Sequence, residues 1–495
     1  MRKHTFFLIN RKTLPILWWL STIGLGVILI LTPVSYADAQ GNQSSKQYTS
    51  IIQQIFDFIQ SHYVDEVDPK ELYEGAMNGM FNVLGDPHSA FLPAREMMNL
   101  SDTTSGNFGG VGLYISKPNE EINGNPPYVE VAAPMEDTPG WRAGINPGDL
   151  IIKINDEPTD TLTMDEVLDR LRGKPGTTVT VLIRRGTSIE FSASLTRAII
   201  EVPTAKYAVI GDVGYLKLLT FTPMTAQRAK EAVTYFNANN CKGFILDLRN
   251  NYGGLLNAAV DVCDLFLDGG VVVSTKSRIS SENRVFYAKK DTAVPADIPV
   301  IILINSASAS ASEIVAGALK DRGRAYLVGA KSYGKGSVQQ VFPIQGKQDG
   351  FKITVARYYT PSDVNIDGSG IPPDREVPVP EFTENDMESL KALIEANEIP
   401  VYVKEHPNLS SAEINAYAAR LSVQYSLNAE LLRLFIRNEQ IRTTIAPVYD
   451  LDYDVQLQEA VNILNGGSYR QLMQRTKTIK QLQDEAEAEE MTAAS

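Results

Sequence analysis

Apolar residues recur at three- and four-residue spacing from about Tyr48 to Leu84, with Ile51, Ile52, Ile55, Phe56 and Ile59 forming the stripe. That period predicts helices. Asp68-Pro69 and Gly85-Asp86-Pro87 punctuate them. From Gly106 the texture changes to glycine turns between short β-branched runs. Residues 111–115, 128–132, 150–154, 178–183 and 190–195 are expected as strands and 164–171 as a helix, a small mixed module. Between about 203 and 379 continuous apolar runs at 213–218, 243–248, 300–304 and 325–328 alternate with helical patterns at 225–237, 255–267 and 312–319. Unbroken apolar strands alternating with helices predict a largely parallel, buried sheet. From Thr383 the chain is helical and charge-rich, and it ends in an acidic stretch at 484–490 expected to be solvated.

The first forty residues stand apart. Arg2, Lys3, Arg11 and Lys12 precede an almost continuous apolar run from Leu14 to Val34, and Ala37-Asp38-Ala39 follows with small-x-small spacing. This is an export signal cut after about Ala39, or an uncleaved membrane anchor. The expected organisation is 1–39 signal or anchor, 46–103 helical, 106–200 mixed module, 203–380 α/β core and 383–495 helical. A chain of 495 residues exceeds one ordinary core, and 43% hydrophobic with 21% charged residues is ordinary for a folded protein. The formal charge of −13, without a basic run after the N-terminus, argues against nucleic acid as a partner. Cys241 and Cys263 are the two cysteines, and both a disulfide and two packed thiols fit them.

Candidate chemistry gathers where the 300–304 run opens into Ser306-Ala307-Ser308-Ala309-Ser310-Ala311-Ser312-Glu313. A small-residue turn from strand to helix presents a side chain at the sheet's C-terminal edge and aims free helix amides at it, as a nucleophile with an oxyanion hole requires. An ordinary Ser/Ala turn with Ser312 as N-cap has the same composition. The histidines are His4, His62, His88 and His406, so a Ser-His-Asp triad wholly inside the α/β core is impossible. A serine there needs another base, and burial can bring a lysine to that task. Lys335 stands in Gly334-Lys335-Gly336, and along a following strand Gln339 would share its face. Four-residue spacing between glycines is missing, so this is no phosphate loop. No metal, nucleotide or other cofactor is implied, since there is no His/Cys cluster.

These segments resemble the carboxyl-terminal processing (tail-specific) protease family. The spacing of 25 from Ser310 to Lys335 and of four from Lys335 to Gln339 both fit its pattern. The resemblance implies a ClpP/crotonase-like α/β protease core, with Ser310 as nucleophile, Lys335 as general base and Gln339 as the residue that orients it. Leu246 to Leu256 resembles the family's other core motif, which implies an oxyanion hole from Gly253 or Gly254 with Ala311; Tyr252 stands where proline or glycine is more usual. Ala356 to Ser362 and Gly370-Ile371-Pro372-Pro373-Asp374 are similar to the core's closing segment, and Asp86-Pro87-His88-Ser89 to the family's N-terminal region.

Gly109-Gly110-Val111-Gly112-Leu113 and Ala143 to Ile151 together resemble a PDZ domain, whose glycine loop grips a terminal carboxylate while the peptide adds as a strand. An arginine of the module, matched by Arg172, would report occupancy to the active site. The implied partners are protein or peptide substrates with a free, apolar C-terminus, with self-association through the helical regions and membrane contact only through the N-terminal segment. An exported, periplasmic or otherwise extracytoplasmic location follows from that segment. The rivals are an inactive PDZ scaffold, separable by a fluorophosphonate probe on Ser310, and a crotonase-like acyl-CoA enzyme, separable by CoA binding.

Overall fold

The computed structural model describes residues 43–118, 121, 126–186, 188–380, 382–442 and 447–493. The basic start and apolar run of 1–39 lie outside the described residues. Among the described residues no helix is long and apolar enough to cross a membrane.

The core sheet runs in the order Ala205–Ile210, Val213–Leu218, Gly243–Asp247, Val300–Ile304, Tyr326–Gly329 and Arg375–Glu376. Its first pair is antiparallel and the others are parallel. Every residue of Gly243–Asp247, Val300–Ile304 and Tyr326–Gly329 is buried, as both-sided cover of a parallel sheet demands. Helices Thr225–Ala238, Leu256–Cys263 and Ala311–Asp321 cover one face, packing Phe236, Val262 and Val315 with Leu246 and Ile302. The other face is closed by the C-terminal region. Ile245, Ile301, Leu303 and Val328 pack with Leu457, Ala460 and Ile463 of helix Val455–Asn465. Arg249 fastens that cover, donating to Asp247 inside the sheet and to Asp454.

A second sheet follows the order Ala90–Leu92, Gly350–Tyr359, Gly270–Ser277 and Arg284–Ala288, with Ser337–Pro343 also paired to Gly350–Tyr359. Most of these strands escape sequence periodicity. Gly350–Tyr359 lacks a clean buried–exposed alternation because partners cover parts of both its faces. The helix expected at 255–267 is shorter, Leu256–Cys263, because Leu265, Phe266 and Leu267 turn inward to the core instead of continuing it.

In the 106–200 module the strands Leu113–Ser116, Val129–Pro134, Leu150–Ile154, Thr178–Arg185 and Ile189–Thr196 form one sheet in that order. Helix Met164–Leu171 starts at a Thr163/Glu166 capping box and buries Val167 and Leu171 against Val129, Val131 and Ile183. The chain enters and leaves this module side by side, since Asn107–Gly110 pairs antiparallel with Ala198–Glu201. Four C-terminal helices between Met387 and Arg442 bury a separate cluster that includes Leu393, Val403, Leu421 and Leu432. Residues 484–489 are exposed, on the final helix Ile479–Ala493. Cys241 and Cys263 are buried free thiols.

Candidate active site

The serine-rich turn resolves into three different roles. Ser308 Oγ donates to Leu248 O at 2.9 Å, and Ser312 Oγ donates to Asn251 O at 2.8 Å. Both hydroxyls are spent on the loop that follows Gly243–Asp247. Ser310 Oγ is buried and has no partner. Ser310 also has φ 57° and ψ −115°, a conformation that costs a non-glycine residue about 1–3 kcal/mol. The N-cap position of helix Ala311–Asp321 belongs to Ser310, not to Ser312. Strain and an orphaned hydroxyl are what a strand-to-helix turn stores when it presents a nucleophile.

Glu313 ties this turn to the loop carrying Lys335. Its carboxylate is fully buried. Oε2 accepts the Ser310 N–H at 2.8 Å and the Lys335 N–H at 2.9 Å, while Oε1 accepts Ser332 Oγ at 2.6 Å and the Gly334 N–H at 2.7 Å. Burial pushes its pKa up to about 7 against the pull of these four donors. Tyr358 adds a second tie, its hydroxyl bonded to the Lys335 carbonyl and 3.3 Å from the Ser310 carbonyl. The glycines beside Lys335 are required by close approach. A Cβ on Gly334 would sit 2.8 Å from Gly370 N, and one on Gly336 would sit 2.6 Å from Asp367 N.

Lys335 is 3% exposed. Burial, and then the neighbouring Lys352 charge, push its pKa down to about 8, although Asp86, Glu313 and Asp367 pull the other way. A lysine in that state yields a neutral amine close to neutral pH. Gln339 is fully buried on strand Ser337–Pro343. The count of four residues along one strand does not explain its position: Lys335 precedes the strand, and a bulge falls between Val338 and Gln339. Gln339 Nε2 donates to Ser337 Oγ at 3.0 Å and Thr354 Oγ1 at 3.1 Å, and its Oε1 is buried without a partner.

Gly253 lies directly against the serine turn, where a Cβ would sit 2.8 Å from Ser310 Cβ. Its N–H is donated to Asn251 Oδ1 at 2.9 Å. Asn251 also donates Nδ2 to Leu218 O and accepts the Ala309 N–H, so it locks the two loops together. Glu313, Asn251 and Tyr358 all stood inside recognisable motifs. No local pattern marks them as organisers, because their partners lie on other loops.

In the 106–200 module Gly112 has φ 73° and opens the turn into the edge strand Leu113–Ser116. Gly109 and Gly110, expected in the carboxylate-gripping loop, lie just before that turn. They belong to the entry ribbon, paired with Ile199 and Ala198, and a Cβ on Gly109 would sit 2.2 Å from Gly173 O. Gly109 is needed for that close packing, and Val111, Gly112 and Leu113 form the turn itself. Arg172 ends helix Met164–Leu171 and points to the helix Ala94–Ser105. It donates to Asn99 Oδ1 at 2.9 Å and Asp102 Oδ2 at 3.1 Å, and stacks over Phe108.

Residues 212–377 match Peptidase family S41, residues 130–185 match a PDZ domain, and residues 32–95 match the Activating protease CtpB N-terminal domain. A Carboxy-terminal-processing protease of Bartonella bacilliformis is 41% identical over 334 residues, covering 66% of this chain and 75% of that protein. The chain belongs to the carboxyl-terminal processing protease family. A Probable CtpA-like serine protease of Staphylococcus epidermidis is 33% identical over 384 residues, covering 75% of this chain and 76% of that protein. A photosystem II D1 C-terminal processing protease is 27% identical, covers 70% of this chain and 96% of that chain, and superposes with a TM-score of 0.39. The protease is thus a serine-type peptidase with a PDZ domain. Its S41 match contains Gly253, Ser310, Lys335 and Gln339, whereas its PDZ match begins after the 109–113 loop.

Proposed function

We propose that this protease cleaves exported proteins near their C-termini with Ser310 as nucleophile, Lys335 as general base and Gln339 as the residue that orients Lys335. The observation that carries the proposal is Ser310 Oγ: buried, unpartnered, on a strained turn anchored through Glu313 to a lysine whose charged form is penalised by burial. Ser310 Oγ attacks the scissile carbonyl carbon while its proton passes to Lys335 Nζ. Collapse of the tetrahedral intermediate breaks the peptide bond, and Lys335 gives the proton to the departing amine. Water, deprotonated by the same lysine, then attacks the ester and frees Ser310. The Ala311 N–H is donated to no described residue and is assigned to the oxyanion, together with a glycine amide of the 253–254 loop. That glycine is Gly253 or Gly254; the Gly253 N–H is donated to Asn251 Oδ1 in the present arrangement.

The PDZ domain selects substrates. Leu113–Ser116 is an edge strand, so a substrate tail can add to it, with its carboxylate at the Val111–Gly112 turn and its apolar side chains against helix Met164–Leu171. Arg172 reports that occupancy by exchanging its Asp102 partner when the module swings on its paired ribbon. Self-association uses the first helix, Gln43–His62, which exposes Ile51, Ile52, Ile55 and Phe58. The basic, apolar N-terminal segment exports the chain or anchors it outside the cytoplasm. The deciding experiment is fluorophosphonate labelling of the full chain with peptide mapping. Modification at Ser310, lost in Ser310→Ala together with proteolysis, is expected; labelling or cleavage that survives Ser310→Ala overturns the assignment.

A further inference from the structure

The turn at residues 85–89 is far from the core in sequence but is pinned to the strand behind Gln339. Ala90, Phe91 and Leu92 pair with Lys352, Phe351 and Gly350. Ser89 Oγ accepts the Thr354 N–H at 3.0 Å and donates to Asp86 Oδ2 at 2.5 Å. Asp86 Oδ2 also takes Thr354 Oγ1 at 2.6 Å, and Oδ1 takes the His88 N–H at 2.9 Å. Burial works to raise the Asp86 pKa, but the Ser89, Thr354 and His88 donors outweigh it and hold the carboxyl below its usual range.

Hydrogen-bond polarity then propagates in one direction. An ionised carboxylate only accepts. The Thr354 hydroxyl must therefore spend its single proton on Asp86, and towards Gln339 it offers lone pairs alone. Only the amide nitrogen of Gln339 can meet a lone pair, and it does so at 3.1 Å. The amide cannot flip without setting its oxygen against Thr354, so Oε1 is committed to the opposite side, where it is buried and unpartnered.

We infer that Asp86 and Thr354 are positioning residues that fix the Gln339 amide so that its oxygen is the acceptor offered to the catalytic amine, making the N-terminal turn part of the active site. This rests on the Ser310–Lys335–Gln339 reading above. It also gives the turn a reason to be docked through a strand, since a mobile carboxylate would not set the polarity. The charged groups facing Lys335 come from four elements: Lys352 on strand Gly350–Tyr359, Asp86 on the turn, Glu313 on the serine helix and Asp367 on the following loop. Burial, and then Lys335 and Lys352, hold the His88 pKa below its usual value although Asp86 and Asp367 pull it up, and its buried Nδ1 has no partner.

The test uses full-chain variants and a peptide substrate with a free apolar C-terminus. Asp86→Asn keeps the shape of the turn but supplies donors, which lets Thr354 reverse. It is expected to lower kcat about 10- to 100-fold, the usual cost of losing a group that orients another, with KM changed less than about twofold. The acid limb of kcat/KM should also move to lower pH, because the Asp86 charge no longer raises the Lys335 pKa. Thr354→Val should lower kcat similarly while leaving that limb in place, and Thr354→Ser should restore activity. Wild-type kcat in both Asp86→Asn and Thr354→Val overturns the relay, as does a Thr354→Ser protein no better than Thr354→Val. If Asp86→Asn does not fold, the two Thr354 variants decide. Ser310→Ala and Lys335→Ala run alongside: activity there overturns the underlying dyad, whereas inactive dyad variants with active relay variants sink the relay alone.

Discussion

Ser310 and Lys335 are joined through a single oxygen: Glu313 Oε2 accepts the backbone N–H of each, at 2.8 and 2.9 Å. The strained turn and the Lys335 loop therefore share this anchor, to which Tyr358 adds a second tie, and neither can shift without disturbing the other. Glu313→Ala would leave three backbone N–H groups and the Ser332 hydroxyl without their acceptor in a buried site. At about 1–3 kcal/mol for each orphaned group, stability should fall by roughly 3 kcal/mol or more. Urea denaturation measures this, and a loss below about 1 kcal/mol would show that water or rearrangement replaces the carboxylate.

Ser310→Ala and Lys335→Ala should each abolish proteolysis while the fold survives. Neither is a large core side chain, and Ser310 Oγ makes no hydrogen bond to lose. Ser310→Gly should be inactive yet no less stable than Ser310→Ala, because glycine accepts the positive φ without strain. Thermal melts of the pair check this, and a clearly less stable glycine variant would contradict the strained turn.

The pH dependence follows from Lys335. Its pKa is lowered to about 8, so the neutral amine proposed as the base gains population as pH rises through that value. In the free enzyme kcat/KM should rise from about pH 6 and level off above about 9, with an apparent pKa near 8. A profile flat from about pH 6 to 10, with chemistry rate-limiting, would remove lysine as the base.

Tail recognition predicts that amidating a substrate's C-terminus slows cleavage sharply, since the Val111–Gly112 turn then meets no carboxylate. Arg172→Ala should impair turnover more than tail binding, because the arginine contacts Asn99 and Asp102 rather than the edge strand. Kinetics on paired free-acid and amidated peptides read both effects. Equal rates on the two peptides would sink tail reading, and a fully active Arg172→Ala protein would sink the switch.

The C-terminal region should be indispensable to folding rather than a dispensable extension. Ending the chain at residue 446 would uncover Ile245, Ile301, Leu303 and Val328 and remove Asp454 from Arg249. The shortened protein is expected to aggregate or to bind a hydrophobic dye strongly. A soluble, active truncation would show that the second face of the sheet needs no cover.

Much of this arrangement is legible along the chain. The run at 300–304 ends where the strand Val300–Ile304 ends, because a fully buried strand leaves an unbroken apolar trace. The glycines around Lys335 announced a close backbone approach, and Gly370 and Asp367 supply it. The glycine loop at 109–113 was less legible. A glycine that admits a passing carbonyl and one that cradles a carboxylate look alike in sequence, and pairing with Ile199 and Ala198 separates them.

The parallel sheet, the small-residue turn into a helix and the lysine between glycines can all be read along the chain. Each is a local pattern set by burial, period or backbone freedom. By composition alone Ser308, Ser310 and Ser312 are equivalent, and the family resemblance singles out Ser310. Only the folded turn supplies a physical distinction, spending two hydroxyls on the neighbouring loop and leaving the third free. Tertiary structure likewise decided that Glu313 anchors the Lys335 loop, that Asp86 reaches Thr354 and that Leu457 closes the sheet. Those pairings join residues 22, 268 and, for Leu457 with Ile301, 156 positions apart. A hydrogen bond or packed contact carries no periodic trace of a partner at such distance, so only the folded chain reveals it.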